Sequence, residues 1–189
     1  MGRIQTCVSY FAIHIIIVAC ICVIPLTQSQ ASFSQKSGNS DFGEEICKNT
    51  PFYDLCSSIL HANPQSQNSD PKGVALLMVN SILANASDTL SFIEGLIKQT
   101  SDRDLEQALA FCAESYIPIV KYTLPQAAQA ISQARFGFAG YCISDALKQV
   151  ISCDNKFSRA IQTPLGGRND FVQKLVSVAS AIIKLLLKS

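Results

Sequence analysis

Eight cysteines, two histidines and 14 carboxylates are the residues of this 189-residue chain whose types could support catalysis, metal binding or cross-linking. Their spacing argues against catalysis. A serine or cysteine nucleophile needs a base within reach. After residue 31 the chain has one imidazole, His61, read here as a surface residue in a loop beside Asn63 and Pro64. A zinc site needs several nitrogen or sulfur ligands, and no second histidine follows residue 31. The pairs Glu44–Glu45 and Asp102–Asp104 could in principle flank a glycosidic bond. Next to lysine and arginine at helix starts, they read instead as caps and solvated charge. "PLGGRN" lacks the Gly-Lys-Ser/Thr ending of a phosphate loop, and no strand precedes it. No cofactor and no metal are expected. Asn85-Ala86-Ser87 is an acceptor sequence for N-glycosylation. Asn85 lies about 100° round a helix from the core position Ala86, so its exposure decides whether it can be modified.

The cysteines carry the remaining chemistry, and the N-terminus decides how many count. Residues 1–31 combine Arg3, an apolar stretch from about Phe11 to Ile24, and a polar run ending in Ser29 and Ala31. That is the layout of a cleaved secretory signal peptide. The stretch is shorter than the roughly 20 residues of a membrane span, and no basic cluster follows it. Cleavage after Ala31 would remove Cys7, Cys20 and Cys22 and leave five cysteines, an odd number, in an oxidising compartment. Loss of Arg3 takes the 15 basic residues to 14, equal to the 14 acidic ones. That balance offers no footprint for nucleic acid, and no membrane contact is expected once the signal is gone. Residues 32–43 read as a disordered lead into a domain at 44–189.

The elements that must position these cysteines read as helices. From Gly73 to Gln99, apolar residues recur at Leu76, Val79, Leu83, Ala86, Leu90, Ile93 and Ile97, alternately three and four apart, with "SDPKG" as start chemistry. Asp102 to Ala130 continues with Leu105, Leu109, Cys112, Tyr116 and Ile119. Pro118 and Pro125 should kink or break it. A third run holds Phe136, Ala139, Ile143, Ala146, Val150, Cys153 and Phe157, and a fourth holds Val172, Leu175, Ala179, Ile182 and Leu186. No stretch alternates with period two. Four such faces and short connections predict an all-α, up-down-up-down four-helix bundle at 72–187. A helical hairpin at 44–66 should precede it, with Cys47 and Cys56 either side of Pro51 suiting a staple. Cys112 and Cys153 both fall on apolar faces, whereas Cys142 falls one position off, beside Ile143. Periodicity therefore favours a Cys112–Cys153 bond, with Cys142 as the free thiol.

Four pieces of the chain resemble the plant invertase and pectin methylesterase inhibitor family: "ICKNTPFYDLCSSILHANPQS", "CAESYIPIV", "FAGYCISDALKQVISCDNKF" and "TPLGGRNDFVQKLVSVASAIIKLLL". They stand in the family's order and spacing. The resemblance implies a stapled hairpin before a four-helix bundle, disulfides Cys47–Cys56 and Cys112–Cys153, and no catalysis. It implies a secreted apoplastic inhibitor that covers the substrate cleft of a cell-wall enzyme in a stoichiometric complex, with the vacuole as a second location if the target is an acid invertase. A secreted lipid carrier is more remote. Such proteins use Cys-Cys and Cys-x-Cys pairs, and here the Cys-x-Cys is Cys20-Ile21-Cys22, inside the signal.

The target divides the family. Described invertase inhibitors carry Pro-Lys-Phe near the junction of the second and third bundle helices. Here Ala134-Arg135-Phe136 keeps the base and the ring without the proline. "PLGGRN…VASAIIKLLL" resembles the invertase-directed branch more closely. The two clues conflict; methylesterase inhibitors are the larger group within the family, which makes pectin methylesterase the favoured partner and invertase the alternative. Arg135, Phe136 and Ser152, the residue before the last framework cysteine, are the candidate target contacts.

Overall fold

The computed structural model describes residues 40–63, 69–157 and 163–188. The expected signal peptide and residues 32–39 lie outside them. The elements are α1 (Ser40–Lys48), α2 (Tyr53–Ala62), α3 (Pro71–Gln99), α4 (Arg103–Pro118), a π-helical turn (Ile119–Thr123), α5 (Leu124–Ser132), α6 (Phe136–Asp154) and α7 (Gly166–Leu186). There is no strand among the described residues. Helix α1 begins inside the segment expected to be disordered. Gly43 lets α1 lie close against α2, since a methyl group there would meet the Leu60 Cδ2 at 2.5 Å.

Local chemistry sets the helix starts. Pro71 occupies the first turn of α3, where a missing N–H costs nothing, and Asp70 Oδ1 accepts from Gly73 N at 2.7 Å. Asp102 caps α4 in the same way, accepting from Asp104 N and Leu105 N. The carboxylates expected as caps thus divide: Asp102 caps, Glu45 pairs with Lys48 at 3.1 Å, and Glu44 ties the hairpin together. The two prolines of the second run do not break it. The rod passes from α4 into α5 through the π turn, where Leu124 N donates to Ile119 O, five residues back, just ahead of Pro125.

Four long elements form the bundle. Helix α3 packs against α4, α5 and α7, and α6 packs against α4, α5 and α7 from the other side. The α4–α5 rod and α7 are thus neighbours of both, and α3 and α6 stand on one diagonal. On α3 the buried residues are Val74, Ala75, Met78, Val79, Ile82, Ala86, Thr89 and Ile93. The leucines of the sequence stripe, Leu76, Leu83 and Leu90, are only partly buried and line its edge. A helix held by three neighbours buries a sector wider than one stripe, and the sector's centre lies one position to the side. The hairpin joins the same core through Ile46, Cys47, Cys56 and Leu60.

Candidate functional site

The cysteines lie as follows. Cys47 and Cys56 are bonded, with Cα atoms 5.4 Å apart, and join α1 to α2. Cys112 and Cys153 are bonded, with Cα atoms 4.7 Å apart, and join α4 to the end of α6. Cys142 is a free, buried thiol. Burial, and next the charge of Asp145, push its pKa up. A position one step off the apolar stripe is therefore still inside, for the same reason as on α3.

A polar clamp lies beside the second disulfide, and periodicity gave no sign of it. Asn169, fully buried, accepts from the Tyr116 hydroxyl at 2.6 Å and donates to Asp154 Oδ1 at 2.5 Å and to Cys153 Sγ at 3.4 Å. Gln173 donates to the other Asp154 oxygen at 2.7 Å. Burial, and next the Asp154 carboxylate, drive the Tyr116 phenol pKa far above its usual value. The clamp ties α4, the end of α6 and the start of α7 together. It is a fixed structural joint, since its polar atoms all face one another.

The hairpin holds a second cluster. Glu44 accepts from Ser57 Oγ at 2.7 Å and from the Tyr53 hydroxyl at 2.9 Å, and His61 Nδ1 stands 3.5 Å from it. The Ser57 hydrogen bond is the main cause that holds the Glu44 pKa below its ordinary value. His61 is in the last turn of α2, not in a loop. Serine, histidine and glutamate here do not make a catalytic triad. The Ser57 proton is given to Glu44, and His61 Nδ1 lies 3.0 Å from the Ser57 carbonyl, which obliges that nitrogen to donate. The hydroxyl donates to the carboxylate directly, so the imidazole does not stand between nucleophile and acid as a triad requires. Among the described residues no group of three or more potential ligands could hold a metal. A shallow groove of about 390 Å³ between Pro51, Leu147 and Ser177–Lys184 presents one charge, Lys184, and no acid–base pair.

Several of the large apolar side chains left exposed lie on one helix, α6. Helix α5 ends in a Schellman turn: Arg135 N donates to Ala130 O at 2.8 Å and Ala134 N to Ile131 O at 2.9 Å. Ala134 sits at φ 55°, the left-handed region usually reserved for glycine. The turn fixes where α6 begins. From it an outward stripe runs along α6 through Arg135, Phe138, Tyr141, Ser144, Lys148 and Ile151, all exposed. The Arg135 guanidinium stands 5.5 Å from the Phe138 ring centre, and Phe138 stacks on Tyr141 with centroids 6.3 Å apart. Tyr141 is 66% exposed.

This geometry revises the candidate contacts. Arg135 is exposed at the turn. Phe136 is half-buried and packs on the core, so the ring presented beside Arg135 is that of Phe138. Ser152 is half-buried and flanks Ile151 at the far end. At about 1.5 Å per residue, it lies roughly 25 Å along the helix from Arg135. One partner reaches both only by lying along the whole of α6. A sequence signal for Phe138 and Tyr141 did exist: they recur three residues apart from Arg135, on the face opposite Ala139, Ile143 and Ala146.

Asn85 is half-buried on α3, with Nδ2 donating to Ser81 O at 2.9 Å.

Comparison with known proteins agrees with this architecture. A family profile described as plant invertase/pectin methylesterase inhibitor matches residues 41–182. The chain is 33% identical over 141 residues to the cell wall / vacuolar inhibitor of fructosidase 1 of Arabidopsis thaliana, an alignment covering 74% of this chain and 66% of that one. It is 28% identical to inhibitor of fructosidase 2 of the same plant, over 88% of this chain and 95% of the relative. Pectinesterase inhibitor 28 of Oryza sativa subsp. japonica is 29% identical, over 76% of this chain and 68% of its own. In fold, the chain is similar to the crystal structure of a pectin methylesterase inhibitor from Arabidopsis in a mutant form, with a TM-score of 0.65 at 20% identity over 74% of this chain and 93% of that one. An all-helical bundle with a stapled hairpin and a profile match over most of its length place this chain in the plant invertase/pectin methylesterase inhibitor family, whose members inhibit enzymes and are not enzymes themselves.

Proposed function

We propose that the protein inhibits an acid β-fructosidase (invertase) of the plant cell wall or vacuole, by laying the outward face of α6 across the enzyme's substrate cleft in a stoichiometric complex. The observation that carries this is the similarity to two fructosidase inhibitors, one at 33% identity and the other along 95% of its length. That similarity samples the whole domain, whereas the junction motif samples three residues. The α6 face suits the role. It combines two cations, Arg135 and Lys148, with Phe138, Tyr141 and Ile151 exposed on a helix fixed at both ends, by the turn at Ala134 and by the Cys112–Cys153 bond. Aromatic and arginine side chains are the usual anchors of an interface, and a preformed surface loses little entropy on docking.

A second reading, inhibition of pectin methylesterase, is favoured by one feature of the turn. A proline needs φ near −65°, and Ala134 has φ 55°. The proline of the invertase-directed motif therefore cannot stand here without rebuilding the turn. The rice pectinesterase inhibitor is the relative on that side.

Purified oxidised protein mixed separately with an acid invertase and a pectin methylesterase, with residual activity measured at acidic and neutral pH, tests both readings. Dose-dependent loss of invertase activity alone is the expected result. Loss of esterase activity alone puts the second reading first, and loss of neither rejects both. Arg135→Ala with Phe138→Ala should weaken inhibition by about 10-fold or more, as removal of interface anchors does, with the thermal midpoint unchanged. Undiminished inhibition would remove α6 as the docking face.

A further inference from the structure

We propose that Asn85 carries an N-linked glycan, borne on the outer face of α3; the proposal rests on the secretion that the functional reading requires. Asn85-Ala86-Ser87 is the one Asn-x-Ser/Thr sequence in the chain. The fold leaves it a way out. Asn85 Nδ2 uses one proton to bond the Ser81 carbonyl at 2.9 Å, along the helix and not into the core. Its second proton meets no acceptor among the described residues. Ala84 and Asp88, the neighbours on its outer side, are exposed. They belong to a solvent stripe of small and polar residues: Asn80, Ala84, Asp88, Ser91, Glu94 and Lys98. That stripe has none of the large exposed apolar side chains that mark α6.

The chemistry is a group transfer that the cell's own transferase performs on the unfolded chain. The Asn85 amide nitrogen bonds to the anomeric carbon of a lipid-diphosphate-linked oligosaccharide. The bond from that carbon to the phosphate oxygen breaks, the lipid diphosphate leaves, and one amide proton passes to solvent. The amide keeps one proton, which is the one needed for the Ser81 hydrogen bond once α3 forms. The sugar then occupies the position of the uncommitted proton and hydrates a face that is polar already. Helices α3 and α6 stand diagonally in the bundle, so the glycan leaves the α6 face free.

The test is the full chain secreted from a plant cell culture, in parallel with the same chain behind a heterologous secretion leader. Both are recovered from the medium, and intact mass and peptide mapping are read before and after endoglycosidase digestion. The expected result is a heterogeneous mass increase that digestion removes and that maps to Asn85. Asn85→Gln and Ser87→Ala should each abolish it while inhibition of the target enzyme is unchanged. Asn85 unmodified in both secreted forms overturns the proposal, as does a glycan that persists in Asn85→Gln. A glycosylated protein that inhibits neither enzyme would reject the functional reading and leave this one standing.

Discussion

Asn169→Ala should be among the most damaging single substitutions in the bundle, because it disturbs three elements through one side chain. Asn169 is fully buried and takes the proton of a buried Tyr116 hydroxyl. Truncation leaves that hydroxyl without its acceptor, a cost of about 1–3 kcal/mol. It also removes a donor to Asp154, which is half-buried and keeps Gln173. That loss is discounted to about 1 kcal/mol. The void adds less than about 1 kcal/mol at roughly 24 cal/mol per Å³. The total is about 2–5 kcal/mol, or a fall in Tm of roughly 4–20 °C for a domain of this size. Tyr116→Phe keeps the ring and strands the Asn169 oxygen, costing about 1–2 kcal/mol. In the double variant no hydroxyl remains to be stranded. Its cost should fall short of the sum of the two singles by about 1–3 kcal/mol, the signature of directly coupled groups. Urea denaturation of the four oxidised proteins measures this cycle. Additivity to within about 0.5 kcal/mol would show that the two side chains do not share a hydrogen bond of consequence and would refute the clamp.

Ala134→Gly should stabilise the protein by about 0.5–1 kcal/mol, since glycine adopts the left-handed conformation without a Cβ penalty, whereas Ala134→Pro should lower the thermal midpoint sharply; a neutral glycine variant would contradict the φ of 55°. Cys112→Ser should cost about 4 kcal/mol, the chain-entropy value for a loop of 41 residues, while Cys142→Ala, which opens no loop, should cost about 1 kcal/mol. A native sample should resist alkylation at Cys142, because the thiol is buried and its pKa raised, and should take up label there once denatured; rapid labelling of the native protein would contradict its placement. Glu44 has its pKa depressed below 4.5 in the folded hairpin. Its contribution to stability is therefore complete above pH about 4.5 and lost as pH falls through the lower folded value. Thermal midpoints from neutral pH downward should show the gap between wild type and Glu44→Gln closing below that pH; a gap that widens in acid would reverse the sign and reject the assignment.

The order of the four bundle helices was legible in the sequence because a helix that buries one side must repeat its apolar residues every three or four positions. Cys112 and Cys153 could be assigned inward for that reason. The Asp70 and Asp102 caps were equally local, since a cap needs only a side chain and the backbone three residues on. What one helix owes to its neighbours was not legible. The buried sector of α3 centres on Met78, Ile82 and Thr89, and not on Leu76, Leu83 and Leu90, because three neighbours, α4, α5 and α7, decide which edge is covered. The same widening buries Cys142. Phe136 falls on the apolar run with Ala139 and Ile143 and Phe138 falls off it, so periodicity separates the two rings; the left-handed turn at Ala134 that sets where α6 begins had no such signal. Tyr116 and Asn169 lie 53 residues apart. No periodicity relates them, and a buried hydrogen bond over that separation exists only once the tertiary structure has excluded water from both groups.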